Sequence, residues 1–452
     1  MEVQIISKEC IKPSSPTPPN LKTYKLSLLD QAAPSTYVPT IFFYPMNQSI
    51  SHDVVDILSQ RSQLLKQSLS ETLTRFYPLA GKIKDYLSID CNDEGVFYLE
   101  AYANCHLVDC LNQLNLGSLQ KLLPQEMNFK ELTAGDHVAM IKVTSFACGG
   151  IAIGFLVSHM IADGASVGVF VKGWAATTRK ASEAVCPNFD APSIFIQNDA
   201  YSKEAVLATV SKYSFKSGRC IIRRIMFDAS AIASLKAKAS SSSVQNPSRV
   251  EVVTALLWKC IMTAFKATSG IQRPAFITQA VNLRRRADPQ FTESSMGNIL
   301  WSIGALCTAE EIDFAYMVNK LREAIRKINA DFVKNLQGNA GFSKLWEIVK
   351  ARSIGAISNM EFPCGVDFIE FTSWCNFGLY DIDFGWGKPM WVSLVGSNDD
   401  LEIVFRNLVI LMDTRSGDGI EAWVVLEKED MTMLAQDKEL LAFASLDPSP
   451  IK

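Results

Sequence analysis

Two kinds of hydrophobic periodicity alternate along this chain. Short runs rich in apolar and β-branched residues predict strands, and segments whose apolar positions recur every three to four residues predict helices. The predicted strands are 37–44, 83–100 with a turn at 91–95, 140–146, 151–157, 220–227, 275–283, 371–377, 390–395, 405–412 and 420–426. The predicted helices are 56–76, 164–179, a run ending at 239, one from 249 to about 265, 310–335 and 430–442. Strands and helices mixed in both halves predict an α/β or α+β fold.

The middle of the chain lacks this periodicity. Residues 184–217 contain Pro187 and Pro192 and predict a crossover between two domains of similar size. We therefore expect a first domain at 1–183, a linker at 184–217 and a second domain at 218–452. A serine run at 240–243 predicts a flexible loop, and Ser248 with Glu251 predicts a capping box that opens the next helix.

Composition narrows the classes of partner and cofactor. The chain has 452 residues, 48% of them hydrophobic, and a net charge of −3, which argues against nucleic acid as a partner. The amino terminus has no apolar signal core, and the apolar stretch 148–171 is too interrupted to span a membrane. Eleven cysteines stand singly, without metal-site spacing, so we expect no metal and a reducing compartment, the cytosol.

His159 follows the apolar run 151–157 and stands in a polar break before a predicted helix. Histidine exchanges a proton near neutral pH, so this position is a candidate general base, although a structural histidine at a strand end is the commoner case. Asp163 is placed to cap the helix, which is a structural role. The same H-x-x-x-D pattern occurs at His52, where its polar surroundings predict a solvated helix start.

A serine hydrolase is the competing chemistry at this place. Residues 164–168 match the G-x-S-x-G pattern around Ser166, but a nucleophile elbow requires a later histidine. The other histidines, His52, His106 and His137, all precede His159. Ser166 is therefore predicted to be an ordinary helix residue.

A second motif lies 224 positions after His159 (383 − 159), and its residues are Asp383, Phe384, Gly385, Trp386 and Gly387. With H-x-x-x-D-G at 159–164, this D-F-G-W-G motif resembles the plant BAHD acyl-CoA-dependent acyltransferases. The resemblance extends over the whole chain, through segments 11–18, 26–31, 76–81, 280–284 and 413–419. It is greatest for the vinorine synthase-like alkaloid acetyltransferase branch. Residues 295–299 read S-M-G-N-I, which differs from the pattern of the family's anthocyanin malonyltransferases.

The resemblance implies a fold, a chemistry and roles for individual residues. It implies two chloramphenicol-acetyltransferase-like domains with a solvent channel between them, and His159 at the centre of that channel as general base. Asp163 would support the histidine by pairing with Arg284, and the 383–387 motif would be a packed bend that could shape the CoA entrance. Thr372, before Trp374, would donate a hydrogen bond to the oxyanion, and Ser248 would lie near bound CoA.

The expected reaction is transfer of acetyl from acetyl-CoA to a hydroxyl of an alkaloid or similar plant specialised metabolite. Acyl-CoA would be a co-substrate, with no bound cofactor, and the protein would be a cytoplasmic monomer. Acyl sugars, terpenoid alcohols and amines are alternative acceptors. An alternative of another class is a non-catalytic family member that binds a metabolite or a partner protein.

Overall fold

A computed structural model describes residues 1–46, 54–112, 116–125, 131–182, 184–199, 215–216, 220–240, 244–352, 365–394, 404–405 and 407–451. The second H-x-x-x-D copy begins at His52, outside the described residues, as do the serine loop 241–243 and much of the predicted crossover.

The strands follow the chain in this order: β1 Val3–Ile11, β2 Thr23–Lys25, β3 Tyr37–Tyr44, β4 Lys82–Ile83, β5 Ser88–Asp90, β6 Val96–Ala103, β7 Ala139–Phe146, β8 Ile151–Ser158, β9 Phe215–Lys216, β10 Cys220–Phe227, β11 Ala275–Asn282, β12 Leu300–Cys307, β13 Asp367–Ser373, β14 Trp391–Ser393, β15 Val404–Phe405, β16 Leu408–Asp413, β17 Ile420–Glu427 and β18 Ser445–Leu446. The α-helices are Leu28–Gln31, Val54–Arg75, Leu107–Asn112, Gly164–Thr178, Ala191–Ile194, Ala229–Ala239, Arg249–Ser269, Phe314–Arg326, Ala330–Asn335, Gly341–Arg352, Lys428–Leu434 and Lys438–Leu441. The mixed α/β class predicted from the pattern is confirmed.

Two large mixed sheets organise the molecule. The first has the strand order β1-β6-β7-β8-β3-β14, and the second has the order β12-β11-β13-β16-β17-β10-β18. The helix Gly164–Thr178, here called the site helix, belongs to the hydrophobic core around the first sheet. The helix Arg249–Ser269, here called the core helix, is buried in the core around the second. Each sheet thus has its own core, and the site helix begins where the two halves meet.

Strand β14 crosses between the halves. It comes from the second half of the sequence but pairs with β3, where Trp391 stacks on Phe43 with ring centroids 5.2 Å apart. The ring centroid of Trp423 also lies 5.8 Å from that of Trp391, and the Arg224 guanidinium carbon lies 5.3 Å from the Trp391 centroid. A division at 183 and 217 does not describe this exchange, and the domain bounds remain a prediction.

The buried pair of Arg224 and Glu421 fixes this junction. Arg224 Nη1 lies 2.9 Å from Glu421 Oε2, and both side chains are almost fully buried. A buried charge is tolerated when an opposite charge pairs with it, because desolvation alone would be costly. Both residues belong to the second sheet, on strands β10 and β17. The pair therefore links that sheet to β14, the strand that pairs with the first sheet.

Most elements agree with the pattern, and the misses have local causes. Strands β3 and β10 match the predicted ranges to the residue. The single predicted helix 310–335 is wrong, because Asp313 and Asn329 each cap a separate helix. The predicted helix 430–442 is likewise two helices, the second capped by Asp437.

Several elements were not predicted or lie elsewhere. They are β1, β12, the helix Gly341–Arg352, and β13, which occupies 367–373 where 371–377 was expected. None of the helices among the described residues is both long enough and apolar enough to span a membrane.

Candidate active site

His159 stands directly after β8, at the turn that leads into the site helix. Its backbone N–H donates to the carbonyl of Thr36 over 2.8 Å, which fixes the turn to the segment before β3. The side chain is half-buried. The fully buried strand β8 therefore delivers an imidazole to a place that solvent and a ligand can reach.

Asn298 forms hydrogen bonds with both the ring and the backbone of this histidine. Its Oδ1 lies 2.9 Å from His159 Nδ1, and its Nδ2 donates to the His159 carbonyl over 2.6 Å. Asn298 is buried and lies in the loop just before β12, so a residue from the second half orients a side chain of the first.

Asp30 decides which way the Asn298 amide points. Its Oδ1 accepts from Asn298 Nδ2 over 2.9 Å and from the Asn298 backbone N–H over 2.7 Å. Its Oδ2 accepts from the Ser27 backbone N–H and hydroxyl. Burial raises the pKa of the Asp30 carboxyl, while the hydrogen bonds from Asn298 and Ser27 act in the opposite direction.

This chain of contacts selects one tautomer of His159. Nδ2 of Asn298 faces two acceptors, the Asp30 carboxylate and a carbonyl, so its amide oxygen must face the imidazole. An amide oxygen accepts, so His159 Nδ1 must carry the hydrogen of that bond. In the neutral ring Nε2 then holds a free lone pair, which is the requirement for a general base.

Asp163 and Arg284 form a buried two-pronged ion pair beside the histidine. The Arg284 Nη1 and Nη2 atoms lie 2.7 Å and 3.0 Å from the two carboxylate oxygens of Asp163, and the side chains are 1% and 4% exposed. Asp163 also caps the site helix, accepting from the Ser166 backbone N–H over 2.8 Å. The contact expected from the resemblance is present, and it ties the start of this helix to the end of β11.

Arg284 also holds the loop that carries Asn298. Its guanidinium donates to the carbonyl of Ser295 over 3.1 Å and 2.9 Å and to the carbonyl of Gly297 over 3.2 Å. The Ser166 hydroxyl accepts from Arg284 and from the Gly297 N–H, and it donates to the Gly297 carbonyl. Ser166 is thus a fully buried helix residue, as predicted, occupied by structural contacts rather than exposed as a nucleophile.

Gly164 allows the second half to approach the site helix closely. A Cβ added at Gly164 would lie 2.5 Å from Cε2 of Trp374, so the indole packs directly on the glycine backbone. Trp374 follows β13, and Thr372 lies two residues earlier on the half-exposed face of that strand. This contact brings the end of β13 to the histidine turn. No hydrogen bond joins the Thr372 hydroxyl to another described residue.

The 383–387 motif forms a bend built on one carboxylate. Asp383 Oδ1 accepts from the backbone N–H groups of Gly385 and Gly387 over 2.7 Å and 2.9 Å. Those residues have φ of +107° and +108°, a conformation that favours glycine. The spacing of aspartate and two glycines in the motif therefore follows from the geometry of this turn.

The aromatic residues of the motif pack far from His159. Phe384 is buried against Trp174 and Tyr44, with ring centroids 5.0 Å and 5.7 Å away. Trp386 stacks on Phe384, and the Arg61 guanidinium lies 5.0 Å from its ring centroid. Trp174 is ten residues from the start of the site helix, about 15 Å along its axis. The motif thus supports the far part of that helix.

Ser248 caps the core helix, as its capping box predicted. Its hydroxyl oxygen accepts from the Glu251 N–H over 3.1 Å, and the Glu251 carboxylate accepts from the Ser248 N–H over 2.7 Å. Arg322 binds Glu251 with two hydrogen bonds of 2.9 Å and 2.8 Å. Ser248 itself is exposed, and its side chain is used within the helix start.

The sequence-based analysis did not identify Asn298 or Asp30 as site residues. Asp30 carries a local signal, because Ser27-x-x-Asp30 forms a capping box for a one-turn helix. That signal predicts a helix start and says nothing about a histidine. Asn298 has no periodic context, and segment 295–299 was notable only for differing from the anthocyanin malonyltransferase pattern.

Replacing Asn298 by alanine is expected to reduce kcat. The change removes the acceptor that holds Nδ1–H and so releases the tautomer and the ring orientation; we expect a loss on the order of 10²-fold, within the range for general-base catalysis. Steady-state kinetics, with the melting temperature as a check on folding, measure this. An unchanged kcat in folded protein would contradict the role of the amide.

Replacing Gly164 by alanine is expected to reduce activity strongly, because the new methyl group would displace the Trp374 ring and the end of β13. Gly168→Ala in the same helix is the matched control, since its Cβ would meet Leu379 at an ordinary 3.5 Å. Helix propensity favours both changes by about 1 kcal/mol. Equal activity of the two variants would show that the close approach at Gly164 is unimportant.

Known proteins resemble this chain over its whole length. Residues 1–441 match a family model described as the Transferase family. The chain is 52% identical to epi-neemfruitin B 7-O-acetyltransferase of Melia azedarach over 460 aligned residues, covering 100% of both chains. It is also 52% identical to limonoid 7-O-acetyltransferase of Citrus sinensis, again over 100% of both.

The fold is also similar to that of a solved structure. The crystal structure of vinorine synthase superposes with a TM-score of 0.81 at 36% identity, covering 100% of both chains. The chain therefore belongs to the transferase family of plant BAHD acyl-CoA-dependent acyltransferases.

Proposed function

We propose that this enzyme transfers acetyl from acetyl-CoA to a hydroxyl group of a polycyclic terpenoid alcohol, with His159 as general base. The observation that carries the proposal is the contact between His159 Nδ1 and the oriented amide of Asn298. It leaves Nε2 as the basic nitrogen on a half-buried side chain, which a bound alcohol can reach.

The proposed reaction proceeds without an acyl-enzyme. His159 Nε2 takes the proton of the acceptor hydroxyl while its oxygen attacks the thioester carbonyl carbon, and the carbonyl π electrons move to oxygen. The tetrahedral intermediate then collapses, the carbon–sulfur bond breaks, and the imidazolium returns its proton to the leaving thiolate. The products are the acetate ester and free CoA, and holding both substrates together supplies much of the rate.

The other site residues have supporting roles in this proposal. Asp163, paired with Arg284, positions the turn that carries His159. Thr372 donates its hydroxyl to the oxyanion, which the proximity of Trp374 to Gly164 supports. Ser248 remains a proposed neighbour of CoA, supported by its exposure at the start of the core helix. The 383–387 bend is proposed to pack the site helix and only indirectly to shape the CoA side.

The identity of the relatives supports a terpenoid acceptor. Two acetyltransferases named for epi-neemfruitin B and for a limonoid are 52% identical to this chain over its whole length. Vinorine synthase, a representative of the alkaloid branch expected from the sequence, is 36% identical in the structural comparison. We therefore place the terpenoid alcohol, an alternative in the sequence-based analysis, before the alkaloid.

The remaining properties are also proposals. The cysteines among the described residues are free thiols, which supports a reducing cytosolic location. The proposed state is a monomer with small-molecule partners and acyl-CoA as co-substrate. Sedimentation of the purified protein measures the oligomeric state directly.

Replacing His159 by alanine is expected to abolish acceptor-dependent release of CoA. Purified protein is given acetyl-CoA with limonoid, alkaloid and acyl-sugar alcohols, and free thiol is measured. Loss of the base should lower kcat by about 10²–10⁴-fold. His106→Ala, at an exposed histidine, is the matched control and should keep full activity.

Each outcome of this assay distinguishes the alternatives. Turnover of a limonoid alcohol supports the proposed acceptor, and turnover of an alkaloid alone transfers the proposal to that class. Equal turnover by His159→Ala would contradict the mechanism. A folded protein that binds these ligands without releasing CoA would indicate the non-catalytic alternative.

A further inference from the structure

One face of the second sheet, here called the wall, is only half-buried. Alternate residues of β11 and β12 are buried, and they belong to the core that includes the core helix. The residues between them are half-exposed although many are apolar: Phe276, Thr278, Ala280, Leu300, Ser302, Gly304 and Leu306. An apolar strand face that solvent still reaches is typical of a cavity wall.

The same face continues into the junction with the first half. Trp423, Ile410 and Thr372 are paired neighbours on β17, β16 and β13, so they form one row across the sheet. Trp423 is buried in the core of the first sheet, and Ile410 packs against that core. Thr372 is the next member of the row and is half-exposed, so burial decreases along the row away from the junction.

Glu370 lies on this wall, two residues before Thr372. Its neighbours across the sheet are Thr278 on β11 and Leu408 on β16. A rise of about 3.3 Å per residue places it roughly 7 Å along the strand from Thr372. Glu370 is half-exposed, and the partial withdrawal of its carboxyl from solvent raises its pKa.

The carboxyl group of Glu370 has no partner among the residues that the structure describes. Other carboxylates withdrawn from solvent are matched: Asp163 by Arg284, Glu421 by Arg224, and Asp30 by several hydrogen-bond donors. A carboxyl buried beside apolar groups without a donor is costly to a fold. Glu370 is half-exposed and no described donor contacts its carboxyl, so this group is available to a bound ligand that carries a donor.

We propose that Glu370 binds a hydrogen-bond-donating hydroxyl of the acceptor, separate from the hydroxyl that is acetylated. This inference rests on the proposed function, because it uses the acceptor position between His159 and Thr372. Glu370 then selects polycyclic alcohols that carry a second hydroxyl besides the reacting one. Smaller or singly hydroxylated alcohols do not reach it.

The test uses Glu370→Leu and Glu370→Gln with a limonoid diol and the same limonoid methylated at its non-reacting hydroxyl. Loss of a hydrogen bond to a charged group is expected to raise KM for the diol by about 10- to 100-fold in Glu370→Leu. Glu370→Gln, which keeps an acceptor, should show a smaller rise. KM for acetyl-CoA and for the methylated limonoid should stay near wild type.

Glu347→Gln, an exposed carboxylate in the helix Gly341–Arg352, is the matched control, and melting temperatures check folding. An unchanged KM for the diol would overturn the inference while leaving the proposed function intact. A rise in KM for acetyl-CoA would overturn it too, because it would assign Glu370 to the pantetheine amides.

Calorimetry separates this inference from the chemistry. Diol binding is measured for His159→Ala with and without the Glu370→Leu change. Binding that is weakened by Glu370→Leu supports the inference even if the wild-type protein releases no CoA. If the diol neither binds nor reacts, both the inference and the proposed acceptor fail.

Discussion

The buried ion pair of Asp163 and Arg284 is the contact on which the site depends. Asp163 caps the helix that follows the histidine turn, and Arg284 lies two residues after strand β11 of the other half. The same guanidinium holds the carbonyls of Ser295 and Gly297, just before Asn298. Removal of one partner from a buried ion pair lowers the free energy of unfolding by about 3–5 kcal/mol. The geometry of the site and the stability of the fold therefore depend on the same pair.

The orientation of His159 follows from which groups donate and which accept hydrogen bonds around it. The Asp30 carboxylate can only accept, so it turns the Asn298 amide, and the amide oxygen in turn requires a proton on His159 Nδ1. Asp30, Asn298 and His159 come from three separate parts of the chain. The base is therefore complete only when both halves are docked, which links the packing of the sheets to the chemistry.

Features that depend only on neighbouring residues can be predicted from the sequence. A wholly apolar strand, a histidine at its end and an N-capping aspartate are all visible in residues 151–164, and the structure has them there. Asp30 and Asn298 are 268 positions apart, and no period or spacing joins them. The break of the predicted helix at 310–335 shows the same limit, because Asn329 competes as a cap within an otherwise helical pattern.

Glu370, whose carboxyl has no partner among the described residues, shows what an alternating pattern leaves undecided. From the sequence, Glu370 is only a polar residue near a predicted strand that was placed four positions too late. Its meaning depends on which face of β13 is covered, and that face is defined by strands from three other parts of the chain. Packing, rather than local pattern, separates the buried face from the wall of the cavity.

Nitrogen NMR reports directly which ring nitrogen of His159 carries the proton. The chain has four histidines, so protein labelled with ¹⁵N-histidine gives a simple long-range proton–nitrogen spectrum, and His159→Ala identifies the site signals. At a pH where the ring is neutral, we expect a protonated Nδ1 and a free Nε2. A proton on Nε2 instead would contradict it.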